Sequence, residues 1–320
     1  MAASPHAFAH PAGPLAGVVV VLPRSADRAA GMAAELAGRG ALPLAMPLID
    51  FEEPESTDAL DEALVQLGRG GFEWLVVTSI TTVRALKQRA AVLGTPLAEL
   101  ARRTKVAAVG SASARALRAE GLAVDLVPDA SMDAVGLVAA WPPRVAGPAP
   151  DGTGRVLMPQ ADIAAPTLEQ GLAAKGWDAR AVVAYHTVDY PARADRRLTA
   201  VLAAAHGDDG APGRGAAELA ELSVADFNRT AADGGIGAVV LSSPSVVRRL
   251  HEVAPALPHR VRLVAIGNST ADEAARLGLP IAAVAAAPTP AGIADAVAAA
   301  LPAPTGGPAH EQTESSRGPS

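Results

Sequence analysis

Tyr185 is one of two tyrosines in this 320-residue chain. It stands in the apolar run Val182-Val-Ala-Tyr185-His186-Thr187-Val188, which reads as a strand. A phenol held there can donate a proton or hydrogen-bond a leaving hydroxyl. The plainer alternative is an amphipathic aromatic packed against the core. His186, next along, points to the opposite strand face, and Tyr190, before Pro191, reads as a boundary residue. Arg24 follows the first strand, the apolar run 18–22 and Pro23, so it belongs at the edge of a sheet where ligands bind. It is either a bidentate carboxylate clamp or an ordinary surface ion pair. Two phrases, Val109-Gly110-Ser111-Ala112-Ser113 and Ile266-Gly267-Asn268-Ser269-Thr270, end a strand and open a helix. Free N–H groups at such a helix start favour carboxylate or phosphate. Helix capping by Ser or Thr explains the same residues without a ligand. Ser79 and Ser242-Ser243 occupy equivalent turns, and four such turns leave the two readings evenly matched.

Other chemistries lose their support. There is no cysteine, which removes disulfides, thiolate catalysis and cysteine metal sites. The seven histidines are scattered without metal-ligand spacing, and His6 and His10 lie in an Ala/Pro/His-rich leading stretch, so no metal is expected. The phosphate-binding G-x-G-x-x-G and G-x-x-x-x-G-K-[ST] patterns are absent, as are H-E-x-x-H and the G-x-S-x-G elbow. A net charge of −6 argues against a nucleic-acid or membrane-surface binder. It leaves room for a local basic cluster facing a small anion. The leading residues lack a basic n-region and the run 18–22 is too short for a span, so a soluble cytoplasmic protein is expected. Arg102-Arg103-x-Lys105 and Arg248-Arg249 read as solvated faces.

The elements that must position these residues come in two copies. Gly17-Val-Val-Val-Val-Leu-Pro23-Arg24 returns as Gly154-Arg155-Val-Leu-Met-Pro159-Gln160. Trp74-Leu-Val-Val-Thr78-Ser79 returns as Ala238-Val-Val-Leu-Ser242-Ser243, and the two Gly turns form the third pair. Short apolar runs of this kind fit parallel strands covered on both faces. Alanine-rich helical segments follow at 26–39, 57–67, 81–89, 112–120, 166–175, 245–253 and 270–277, with Gly40, Gly121, Gly176 and Gly278 placed to end four of them. With only 3% aromatics, the cores must be mostly Ala, Val and Leu. The expected class is α/β: two similar lobes of parallel sheet flanked by helices.

Two strand-like segments, Pro47-Leu-Ile-Asp50-Phe51 and the run holding Tyr185, break the alternation at matching places. Pairing with each other, they would carry the chain between interleaved lobes. The corresponding division is 15–46 plus 191–302 for one lobe, 53–182 for the other, and connecting strands at 47–52 and 183–190. Tails at 1–14 and 303–320 are expected to be disordered. Loose stretches at 142–154 and 205–215 read as a separator and a loop insertion.

Together these phrases make the chain similar to the uroporphyrinogen-III synthase family, in order from about residue 17 to 301. Further matching phrases are Val-Val-Thr78-Ser79-Ile-Thr-Thr-Val83, Ala-Tyr185-His-Thr187, Val-Leu-Ser242-Ser243-Pro244-Ser245-Val and Ala-Pro288-Thr289-Pro-Ala-Gly292-Ile. The resemblance implies a cofactor-free hydro-lyase of tetrapyrrole synthesis. Its substrate is hydroxymethylbilane, which loses its terminal hydroxyl as water, inverts its last pyrrole through a spiro intermediate and closes to uroporphyrinogen III. It implies two α/β lobes joined by a two-stranded ladder. Tyr185 then assists hydroxyl departure. Arg24, Ser79, Gly110, Ser113, Ser242, Ser243, Ser245, Gly267 and Thr270 hold the substrate, largely through backbone N–H groups that meet its carboxylates. Asn268-Ser269 replaces a common Pro-Thr of the family. The expected protein is a monomer with no nucleic-acid or membrane partner, in transient contact with the preceding pathway enzyme. A two-lobe binding or sensor protein for a small anionic metabolite fits the turns equally well.

Overall fold

The structure, a computed structural model, describes residues 13–129, 131–144, 154–202 and 219–301. The expected disordered tails, apart from residues 13 and 14, and most of the two loose stretches lie outside the described residues, as do His6 and His10. In chain order the elements are β1 (Val19–Leu22), α1 (Ala26–Gly38), β2 (Leu42–Ala45), β3 (Ile49–Glu52), α2 (Asp58–Gly68), β4 (Trp74–Val77), α3 (Ile80–Val92), α4 (Leu97–Leu100), β5 (Lys105–Ala108), α5 (Ser111–Ala119) and α6 (Ala134–Ala140). They continue as β6 (Arg155–Ala161), α7 (Thr167–Ala174), β7 (Asp178–Asp189), α8 (Val224–Asp233), β8 (Ala238–Leu241), α9 (Pro244–Val253), β9 (Arg262–Ala265), α10 (Asn268–Arg276), β10 (Ile281–Val284) and α11 (Pro290–Ala300).

The strands form two five-stranded sheets, β10-β9-β8-β1-β2 and β3-β7-β6-β4-β5. The first is wholly parallel. The second is parallel except for β3, which runs antiparallel to β7 with Ile49 opposite Asp189 and Glu52 opposite His186. The α/β class, the two lobes and the β connector agree with the sequence reading. β1 and β2 share a sheet with β8, β9 and β10, so the copies are interleaved. The connector itself differs from the short separate strand expected at 183–190. β7 is one twelve-residue strand whose first part pairs with β6 and whose last four residues pair with β3.

Each sheet is buried on both faces, which is why the interior strands β4 and β8 are apolar throughout and buried. One sheet packs Leu60, Leu64, Leu67, Leu86 and Leu117 on one face, and Trp141, Leu168 and Leu172 on the other. Its counterpart packs Leu36, Ile293 and Val297 against one face and Phe227, Val247 and Leu250 against the other. The cores are mostly Ala, Val and Leu, as expected, with buried Phe72, Phe227 and Tyr185 among them and one cluster that is richer in aromatics. All three tryptophans gather there: Trp74 lies 4.7 Å from Trp141, which lies 6.1 Å from Trp177. Gly40, Gly121, Gly176 and Gly278 all have positive φ and follow helix ends, as their spacing predicted. Helices α4, α6, α8 and α11 were not foreseen. Asp133 caps α6 through the Gly136 N–H at 2.7 Å, and Thr289 caps α11 through the Gly292 N–H at 3.1 Å.

Candidate functional site

Strand order brings the singled-out turns together at the carboxyl edges of the sheets. In one lobe the neighbours β9, β8 and β1 end at Gly267, Ser242-Ser243 and Arg24. In the other, β5, β4 and β6 end at Gly110, Ser79 and Asp162. The turns are closely alike. Gly110 and Gly267 both stand in extended conformation at the helix N-cap without a side-chain cap, so the first N–H groups of α5 and α10 are left for solvent or ligand. Ser79 and Ser243 do cap, accepting from the N–H groups of Thr82 at 3.0 Å and Val246 at 3.3 Å. Ser113 and Thr270 are buried, at 6% and 2% exposure, so any ligand contact there must come through the helix start rather than an open hydroxyl. Ser245 accepts from Arg248 at 3.4 Å, and Arg248 reaches Glu273 of α10 at 2.9 Å.

Tyr185 sits in the middle of the best-connected group. Its hydroxyl lies 3.1 Å from Ser79 Oγ, which lies 3.0 Å from Thr82 Oγ1. Its ring meets Phe51 edge-on at 5.4 Å, and the Arg28 guanidinium covers the Phe51 ring at 4.5 Å. A register shift between Gln160 and Ala161 explains how the phenol reaches this place. Gln160 pairs with Val183, yet Ala161 pairs with Tyr185, so β7 bulges and both Ala184 and Tyr185 turn inward. Burial pushes the phenol pKa up; hydrogen bonds from Ser79 and Thr82 oppose this, and the Asp162 carboxylate adds to it. Tyr185 therefore remains a neutral proton donor across the physiological range. His186, on the other side, lies with Nδ1 2.9 Å from Asp162 Oδ2, while the Thr187 N–H donates to Asp162 Oδ1 at 3.1 Å.

The connector holds charges that sequence reasoning passed over. Asp50 is fully buried and accepts from Arg28 at 3.1 Å, Arg197 at 2.9 Å, the Phe51 N–H at 3.0 Å and the Ala192 N–H at 3.2 Å. Glu52, two residues on, accepts from the Arg193 N–H at 2.6 Å and faces Arg196 at 3.4 Å. The only signal in the sequence was Asp and Glu alternating on an otherwise apolar strand. Arg24, part-buried beside this group, has its pKa lowered by burial, then by Arg28 and by Arg84 of α3. Arg84, like Arg28, was not singled out. Ser79, Tyr185, Arg24, Arg28 and Arg84 thus gather around the connector. Gly110, Ser113, Ser242, Ser243, Ser245, Gly267 and Thr270 lie at the sheet edges and form no side-chain hydrogen bond or ion pair with that group among the described residues.

The basic pairs read as solvated faces divide. Arg102 meets Glu99 at 3.0 Å and Lys105 lies over Trp74, both at the surface. Arg248 and Arg249 are engaged, with Arg249 reaching Asp189 at the end of β7 at 2.7 Å. Among the described residues no group of three or more His, Asp or Glu is placed to hold a metal, and no helix is long and apolar enough to cross a membrane.

Two interleaved α/β lobes, joined by a β ladder and carrying paired turns with uncapped helix starts at their sheet edges, define a two-lobe α/β protein whose candidate site lies at the connector. The chain belongs to the uroporphyrinogen-III synthase HemD family, whose model matches residues 30–295. It is 32% identical over 134 residues to the uroporphyrinogen-III synthase of Synechococcus elongatus, a match covering 42% of this chain and 49% of that protein. The chain thus spans about half the length of the curated relative it matches. In fold it is similar to a mutant uroporphyrinogen III synthase from the extremely thermophilic bacterium Thermus thermophilus, with a TM-score of 0.54 and 20% identity over 83% of this chain and 92% of that one.

Proposed function

We propose that this protein is a uroporphyrinogen-III synthase that dehydrates and cyclises hydroxymethylbilane with inversion of the terminal pyrrole. The observation that carries the reading is Tyr185: a buried phenol, kept protonated, aimed by a strand bulge at the hydroxyl-rich start of α3. Dehydration breaks the C–O bond of the terminal hydroxymethyl group. The oxygen leaves with the bonding pair and takes a proton from Tyr185 to depart as water, and the proton that the pyrrole α-carbon loses on final closure restores the balance. What remains is an azafulvene cation on the ring that carried the hydroxyl, and the bridge-bearing α-carbon of the pyrrole at the other end of the chain attacks its methylene to give the spiro intermediate. Reopening and closure at the other side then invert the ring. These steps need a proton donor and a fixed fold-over geometry rather than a nucleophile.

The substrate carries eight carboxylates, and the turns at Gly110, Gly267 and Ser242–Ser243 offer N–H groups toward them. Arg24 supplies a charge at the same sheet edge. The decisive assay supplies enzymatically generated hydroxymethylbilane and resolves isomer III from isomer I. Isomer III formed faster than spontaneous closure is the expected result. Isomer I alone, at the uncatalysed rate, would instead support a binding protein for an anionic metabolite.

A further inference from the structure

Arg84 keeps a charge that its counterpart in the other lobe has neutralised. The repeat Thr78-Ser79-Ile-Thr-Thr-Val83-Arg84 against Ser242-Ser243-Pro-Ser-Val-Val247-Arg248 sets Arg84 opposite Arg248. Counting from Gly110 and Gly267 sets Ala116 opposite Glu273. The helices pack alike, α3 on α5 and α9 on α10. In one lobe Arg248 donates to Glu273 at 2.9 Å. In the other the carboxylate is replaced by Ala116, and Arg84 makes no hydrogen bond or ion pair with any described residue.

Arg84 lies on α3, whose N-cap Ser79 meets Tyr185 at 3.1 Å, and Tyr185 meets the Phe51 ring that Arg28 covers at 4.5 Å, so the contacts run from Arg28 of one lobe to the start of the helix that carries Arg84. Arg84 is part-buried, and burial followed by Arg28 lowers its pKa. Arg24 is lowered by burial, Arg28 and Arg84. Asp27 is the carboxylate that opposes these effects, and it forms no ion pair with either arginine. Asp50 is already shared between Arg28 and Arg197. Neither neighbour belongs to the repeat pattern: Gln160 stands where Arg24 would recur and Ala164 where Arg28 would. Arg24 and Arg84, with no ion pair among the described residues, and Arg28, whose Asp50 partner is shared with Arg197, stand beside a buried phenol and are arranged for an anion brought from outside.

We propose that Arg24, Arg28 and Arg84 form one subsite for a single carboxylate of the substrate, with Arg24 and Arg28 offered by one lobe and Arg84 by the other. The bound carboxylate bridges the lobes beside Tyr185 and fixes how they close. Its assignment to hydroxymethylbilane rests on the function proposed above; the subsite itself rests on the arginines alone.

The test restores the missing carboxylate. Ala116→Glu places an acid where Glu273 stands in the other lobe. The variant is expected to raise the melting temperature of the ligand-free protein by a few degrees and to raise KM about tenfold, with kcat changed far less. Arg84→Gln should raise KM likewise. A propionate titration of protein labelled at arginine Nε, followed by nuclear magnetic resonance, is expected to shift Arg24 and Arg84 together in the wild type and neither in Ala116→Glu. The proposal is overturned if propionate moves neither arginine in the wild type, or if both variants keep the wild-type KM. Failure to make isomer III would sink the proposed function alone, because the propionate titration reads the subsite without turnover.

Discussion

Asp50→Asn should loosen the connector. The carboxylate is fully buried and meets four donors, two from arginines and two from backbone N–H groups. An asparagine side chain offers one acceptor oxygen. Its amide must turn N–H groups toward either Arg28 and Phe51 or Arg197 and Ala192, so donors face donors in both orientations. Breaking a buried pair by removing one partner costs about 3–5 kcal/mol, because the remaining charge stays desolvated. Arg28 is 15% exposed and Arg197 37% exposed, so water recovers part of that cost. The expected net loss is about 2–4 kcal/mol. In equilibrium urea unfolding, with a slope of about 3 kcal/mol per molar, the midpoint should fall by about 1 M. Because Arg28 also covers Phe51, which meets Tyr185, activity should fall too. A midpoint within about 0.2 M of the wild type, at unchanged slope, would refute the view that Asp50 secures the ladder.

Two further predictions concern single groups. Tyr185→Phe removes the donor but keeps the ring on Phe51, so turnover should fall at least about 100-fold while stability falls by about 1 kcal/mol; unchanged turnover with hydroxymethylbilane would return Tyr185 to a packing role. Glu273 has its pKa lowered to about 2, first by its hydrogen bond from Arg276 and then by that from Arg248. A depressed carboxylate contributes stability that is full above its ordinary pKa and fades as pH falls toward about 2. Melting curves of Glu273→Gln should therefore converge with the wild type at the acid end of that window and fall below it near neutrality; a gap constant with pH would contradict the pairing.

The fold was largely legible because burial on both faces leaves a strong mark. Runs such as Trp74-Leu-Val-Val and Ala238-Val-Val-Leu have no solvated side, and the glycines that end helices occupy a conformation other residues resist. Repetition of three phrases in order gave the turns at Gly110 and Gly267 their weight. Helix α6 escaped notice because its stretch, rich in Ala, Val and Gly, shows too little periodicity to mark a face; tertiary packing on α7 and on the tryptophan cluster makes it.

The candidate site was legible only in its types. That Tyr185 is a rare phenol on a strand, and that Arg24 follows another, are facts of sequence. Whether the phenol turns inward depends on the bulge, and a bulge is set by pairing between strands rather than by the residues of either one. Arg84 and Arg248 look equivalent along the chain. Only the packing of α10 on α9, and of α5 on α3, shows that one has its carboxylate and the other does not. The chain by itself determined two interleaved α/β lobes and the turns at their edges, since periodicity and turn chemistry act over a few residues. Tertiary structure alone decided which charges meet at the connector, since electrostatic partners lie far apart in sequence, as Arg28 and Asp50 do, and depend on distance in space.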